Sequence, residues 1–244
     1  MFKSLTILLS ILLLGINCKE NAIFRFLKTF LQSYVDNDLF IKVMEWVRRN
    51  EQHKFPDNFE NNMLAFQNHL ARINQTNGFI EKQESFWDMK YGAYNLSENG
   101  CGLIATYNVL HDLTGKDYIN FPLIIDSLEK DGIILSGLFG TSMVAIEEYF
   151  KKNGFKTKFS TKKENYDKLG EECDALILTI YNNKKNILEA IHTFAITKKD
   201  GKFYLHNQKS SYLGSNAFNS ITDILLKINS GLAKDISLIG IIKN

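Results

Sequence analysis

The chain has 244 residues, 45% of them hydrophobic and 23% charged. That is enough for one well-cored domain with additions or two small ones, and it excludes a disordered or fibrous chain. The formal net charge is +2 with the signs interspersed, so nothing in the charge balance calls for a nucleic-acid partner.

The first eighteen residues, MFKSLTILLSILLLGINC, carry one charge at Lys3 and then an uncharged run from Ser4 to Cys18. That run is shorter than the roughly 20 residues of a membrane span, but it matches the apolar core of a secretory signal. Residues 1–18 are therefore expected to act as a signal peptide or apolar anchor, giving export or membrane association through the N-terminus. A buried first helix is the alternative. GINC fits a lipoprotein cleavage site badly, because small residues are wanted before that cysteine.

Residues 19–90 read as a helical N-terminal extension. IFRFLKTFLQSYV sets Ile23, Phe26, Leu27, Phe30, Leu31 and Val35 on one stripe, and LFIKVMEWV repeats the theme. Asp57 stands where a cap would precede a helix through Met63, Phe66 and Leu70, and NQTNG breaks the pattern. The aromatic stripe reads as packing surface.

Residues 91–244 have a mixed texture. After Cys101, the residues Leu103, Ile104, Tyr107 and Leu110 recur at helical spacing, with Gly115 as a stop. GTSMVAIEEYFKKNGF predicts a second helix, capped by Thr141 or Ser142 and ended by Gly154. Strand-like runs follow: ALILTIY, IHTFAIT, KFYLHN and, after a short helical ITDILLKI, SLIGIIK. Helices first and strands later predict an α+β fold with an antiparallel sheet.

Three cysteines at wide spacing make no disulfide framework, and the five histidines are scattered, so neither a metal nor a cofactor is expected. Cys101 is the cysteine with chemical promise. It lies between Gly100 and Gly102 at a predicted helix start, where unpaired N–H groups favour the nucleophilic thiolate. The flanking glycines are read as keeping the sulfur uncrowded for a substrate backbone. A buried apolar cysteine is the plain alternative. Cys173 opens an apolar run and is expected to be structural.

The thiol needs a base. His111 lies ten residues along the same helix, about 15 Å away. His53 and His69 belong to the extension. His192 lies in AIHTFAITKKDGKFYLHNQ, which reads as a hairpin turning at Asp200-Gly201. In that register Lys199 faces Lys202, and Asn207 shares the face of Phe194 and His192, within side-chain reach. His206 points to the other face. The arrangement is a nucleophile, an imidazole base and an orienting amide. The Cys101 N–H and the side-chain amide of Asn95, six residues earlier, are the expected oxyanion donors. NLS at 95–97 and NQT at 74–76 also match glycosylation sequons, which would matter only in a eukaryotic secretory pathway.

These residues together resemble the papain-like cysteine peptidase superfamily. They look closest to its bacterial branch of bacteriocin-processing, double-glycine-leader peptidases. The resemblance rests on Asn95 six residues before Cys101-Gly102, on Gly140-Thr141-Ser142 opening a helix that ends near Gly154-Phe155, and on HTFAI…FYLHN. It covers about Tyr91 to Asn244. It implies a papain-like fold with Cys101 as nucleophile, His192 as base and acid, Asn207 as orienter, Asn95 in the oxyanion hole, and a peptide or protein substrate. Asn95 stands where the branch usually has Gln, and Asn207 where its leader peptidases usually have Asp. An amidase or acyltransferase would use the same triad, and an inactive peptidase-fold binding module is the third reading.

Overall fold

The computed structural model describes residues 37–51, 55, 57–115, 120–181, 191–208, 217–228 and 234–244. The expected signal or anchor at 1–18 and the stripe from Ile23 to Val35 lie outside the described residues.

Helix α1 (Asn37–Asn50) buries Phe40, Ile41, Val43, Met44 and Val47, the one-sided stripe of an amphipathic helix. Helix α2 (Asn58–Phe66) passes through a 3₁₀ turn into α3 (Leu70–Gln75). Asp57 stands at the N-cap of α2, but its side chain makes no capping bond. A two-residue hairpin, β1 (Lys90–Tyr91) and β2 (Tyr94–Asn95), leads into the single turn α4 (Leu96–Asn99) and then α5 (Cys101–Thr114). Gly115 closes α5 in the left-handed conformation, with φ 60° and its N–H on the His111 carbonyl at 3.0 Å.

Helix α6 (Phe121–Asp131) is capped by the Asn120 side chain, and α7 (Met143–Lys152) by Ser142, whose Oγ accepts from Ala145 N–H at 3.2 Å. Of the two cap residues offered by the sequence, Ser142 is the one used. The remaining elements are β3 (Lys156–Ser160), α8 (Tyr166–Glu172), β4 (Ala175–Tyr181), β5 (Ile191–Lys199), β6 (Lys202–His206), β7 (Ala217–Phe218), α9 (Ile221–Ile228) and β8 (Lys234–Ile242).

Strands β3 to β8 form one sheet in the order β3-β8-β4-β5-β6-β7, with every described pairing antiparallel. The fold is α+β. Strand β8 is last in the chain yet sits between β3 and β4. The β5–β6 hairpin turns at Asp200 and Gly201, both with positive φ, and pairs Lys199 with Lys202 and Ala195 with His206. This is the register the Asp-Gly turn predicts.

All seven residues of β4 are buried, because helices cover both faces of the sheet. On one face Ala175, Ile177, Tyr181 and Ala195 pack with α5, α6, α7 and the helices before Cys101. On the other, Leu176, Leu178, Ile180, Phe194 and Ile196 pack with α8 and α9. The described part of the extension thus shares its core with the helix that carries Cys101. Strand β3 and helices α6 and α8 are additions that the sequence reading did not single out.

Glu45 on α1 reaches the Ser142 hydroxyl as well as Arg48, so one serine caps α7 and ties α1 to it. Ser142→Ala is expected to cost about 1–2 kcal/mol, read as a lower urea midpoint with an unchanged slope.

Candidate active site

Cys101 is the first residue of α5, and its side chain is buried, 9% exposed. The helix packs on β5, and the Thr193 main chain and hydroxyl, with the N–H groups of Cys101 and Gly102 at the helix terminus, favour the charged form of the sulfur. Burial pushes the thiol above its ordinary value, and these donors pull it down without offsetting the burial. Burial thus favours the neutral thiol, in surroundings that also favour a thiolate.

The flanking glycines have a packing role. A Cβ on Gly102 would stand 3.0 Å from the Thr141 Cβ and 3.3 Å from Ile146 Cδ1, and one on Gly100 would stand 2.5 Å from the Leu96 carbonyl oxygen. They let Thr141, Ile146 and Leu96 pack closely on the backbone either side of Cys101. Thr141 donates to the Tyr91 hydroxyl at 3.1 Å, and Tyr91 donates to the Leu128 carbonyl at 3.2 Å. Burial holds the Tyr91 phenol far above its ordinary value, with the Glu129 and Cys101 charges adding to the rise.

His192 and Asn207 meet, as the hairpin register predicts, but through a different atom. His192 Nε2–H donates to the Asn207 main-chain oxygen at 3.0 Å. This bond puts the neutral ring's proton on Nε2 and leaves Nδ1 as the basic nitrogen. Asn207 has left the strand in the left-handed conformation, φ 57°. Its carboxamide is engaged by Gln83: Oδ1 accepts from the Gln83 N–H at 3.2 Å, and Nδ2 donates to Gln83 Oε1 at 3.4 Å.

Alternation along β5 also separates two pairs. Thr193 lies on the α5 side with Ile191 and Ala195; His192 lies on the side of Phe194, whose ring it meets edge-on at 4.4 Å. The structure brings Cys101 to Thr193 and His192 to Asn207. The peptide joining residues 192 and 193 links the two pairs.

Asn95 stands at the cap of α4, and its Oδ1 accepts from Lys90 Nζ at 2.6 Å. Asn99 donates to the Tyr91 and Gly137 carbonyls at 3.0 and 2.9 Å, while its buried Oδ1 has no hydrogen-bond partner among the described residues. His111 bonds the Asn77 carbonyl at 2.9 Å. Cys173 lies in the opposite core, under Gly240.

The sequence reading passed over Thr193, although a threonine inside an apolar strand was visible. It also passed over the strap at Phe79–Gln83. There Glu81 bonds His206 Nδ1 at 2.6 Å and accepts from Asn207 N–H at 2.8 Å, while Phe79 stacks on His206. Thr197 Oγ1 is 2.8 Å from His206 Nε2. Among the described residues no cluster of His, Cys, Asp or Glu is placed to hold a metal ion, and no helix is long and apolar enough to cross a membrane.

The architecture is that of an α+β protein with a cysteine at a helix terminus packed on an antiparallel sheet. No protein-family model matches the chain, and no curated protein matches it. Among solved structures it is similar to the peptidase domain of Streptococcus ComA, a bi-functional ABC transporter involved in a quorum-sensing pathway. The identity is 14% and the TM-score 0.39, over 59% of this chain and 91% of that one.

Two outcomes follow from the packing and the charge. Gly102→Ala is expected to cost about 1–3 kcal/mol by overpacking against Thr141 and Ile146, measured by urea unfolding. The folded state holds the Cys101 proton to higher pH than the unfolded chain, so as pH rises the unfolded chain loses its proton first. Stability from this site is full below the ordinary thiol range and falls above it. Tyr91 and Tyr181 shift in the same direction. The urea midpoint is expected to drop at alkaline pH, and less steeply in Cys101→Ala.

Proposed function

We propose that this chain is a papain-like thiol hydrolase that cleaves a peptide amide bond through Cys101. The observation that carries the reading is the place of the sulfur, at the N-terminus of α5 against β5, where the helix terminus and Thr193 favour its charged form. A thiol at a helix N-terminus in such surroundings is suited to become an anion. In the proposed reaction His192 takes the thiol proton, and the sulfur attacks the substrate carbonyl carbon. The Cys101 N–H stands nearby as a donor to the developing oxyanion. The imidazolium then returns the proton to the leaving amine, and a water activated by His192 hydrolyses the acyl-enzyme.

This role requires the His192 ring to turn from Phe194 toward the α5 side. Asn207 supports it as orienter, since its carbonyl already accepts from the ring. Lys90 holds Asn95 by Oδ1, and the group proposed to donate to the oxyanion is the Asn95 Nδ2 amide. The uncharged run from Ser4 to Cys18 supports export or membrane anchoring of this activity.

A second reading, a binding module on a peptidase fold without turnover, is favoured by one observation: His192 starts from the face of β5 opposite Thr193.

Labelling with iodoacetamide or an epoxide thiol-protease inhibitor, followed by peptide mapping, separates the two. The hydrolase is expected to label fast at Cys101, with His192→Ala slowing it about 100-fold or more. Equal labelling of Cys101 and Cys173, indifferent to His192, is the result for the binding module.

A further inference from the structure

Register puts Thr193 on the face of β5 that packs under α5, where its hydroxyl favours the charged form of the Cys101 sulfur. Thr193 Oγ1 lies 3.2 Å from Thr179 Oγ1 on β4, its cross-strand partner. Thr179 is in turn paired with Ser237 on β8. Register places all three hydroxyls on the α5 face of the sheet. They are buried, at 3%, 1% and 0% exposed for Thr193, Thr179 and Ser237. Ser237 Oγ has no hydrogen-bond partner among the described residues. A buried hydroxyl without a partner costs free energy, so the inner end of this row has spare capacity.

The two threonines can each donate or accept. When the sulfur is protonated, S–H can donate to Thr193 Oγ1, and the Thr193 hydroxyl to Thr179. When it is ionised, Thr193 O–H turns to the sulfur and Thr179 O–H turns to Thr193 Oγ1. No proton enters or leaves the row in this change. The thiol proton departs to the base, and only O–H bond directions reverse. Water is not needed to solvate the new charge, and the responding dipoles are already in place.

We infer that Thr193 is a positioning residue for Cys101, and that Thr193 and Thr179 form a buried hydroxyl row that reorients to stabilise the thiolate. This rests on the reading of Cys101 as a nucleophile, which it deepens by assigning a residue outside the triad. Thr193 acts through the sulfur and touches no substrate in this role. Thr193→Val keeps the shape and removes the hydroxyl, while leaving the main-chain N–H. Thr193→Ser restores the hydroxyl.

The test is the pH profile of Cys101 alkylation by iodoacetamide in the full chain, with Cys101 followed by peptide mapping. Thr193→Val is expected to move the midpoint up by about one pH unit, slowing labelling at neutral pH about tenfold. Thr193→Ser is expected to return it to the parent profile, and Thr179→Val to move it the same way by less. A merely structural threonine would change the unfolding midpoint and leave the profile in place. A Thr193→Val profile superimposable on the parent overturns the inference. If that variant does not fold, Thr179→Val decides, and an unmoved profile there overturns the row. Turnover on peptide amides is a separate readout. Its absence in the parent sinks the hydrolase, while the profile still tests Thr193.

Discussion

Strand β5 is covered by helices on both faces, and the rest of the candidate site depends on that constraint. A strand with one solvated face can turn residues outward. Here the residues from His192 to Thr197 are buried, alternating between two cores. Thr193 goes to the core that contains α5 and meets Cys101. His192 goes to the core of α8 and α9 and meets Asn207. The period-two geometry that aligns one pair divides the other.

The electrostatics follow from the same burial. Desolvation favours the neutral thiol, and the helix terminus and Thr193 favour the charged one. A fully exposed cysteine would feel these donors weakly, because water screens them. A buried cysteine without them would be inert. The site combines both, which stores the capacity to ionise without ionising at rest. On either side of Cys101, neighbouring groups occupy the space that a Cβ on Gly100 or Gly102 would need.

The segments before Cys101 are structural partners of the site. Helix α1 reaches the Ser142 cap of α7 through Glu45, and its Phe40 meets the Tyr181 ring at the end of β4. The strap from Phe79 to Gln83 grips the end of β6 through His206 and Asn207. Gln83 also donates to the Leu96 and Ser97 carbonyls at 3.3 and 3.1 Å. It therefore ties the hairpin that carries His192 to the turn that precedes Cys101.

Local signals determined a good deal by themselves. The Ser142 cap, the Gly115 stop and the Asp-Gly hairpin register are set by φ preference and short-range hydrogen bonds, so they were legible in the sequence. Short-range chemistry also put Asn207 beside His192. Other features come from pairings between distant segments. These include β8 entering the middle of the sheet, β3 at its edge, Gln83 taking the Asn207 carboxamide and Lys90 holding Asn95. Above all, tertiary structure decided which face of β5 lies under the Cys101 helix. Alternation is a property of any strand, but the choice of face belongs to the packing of α5, α8 and α9 on one sheet. No local pattern in the β5 sequence encodes that choice.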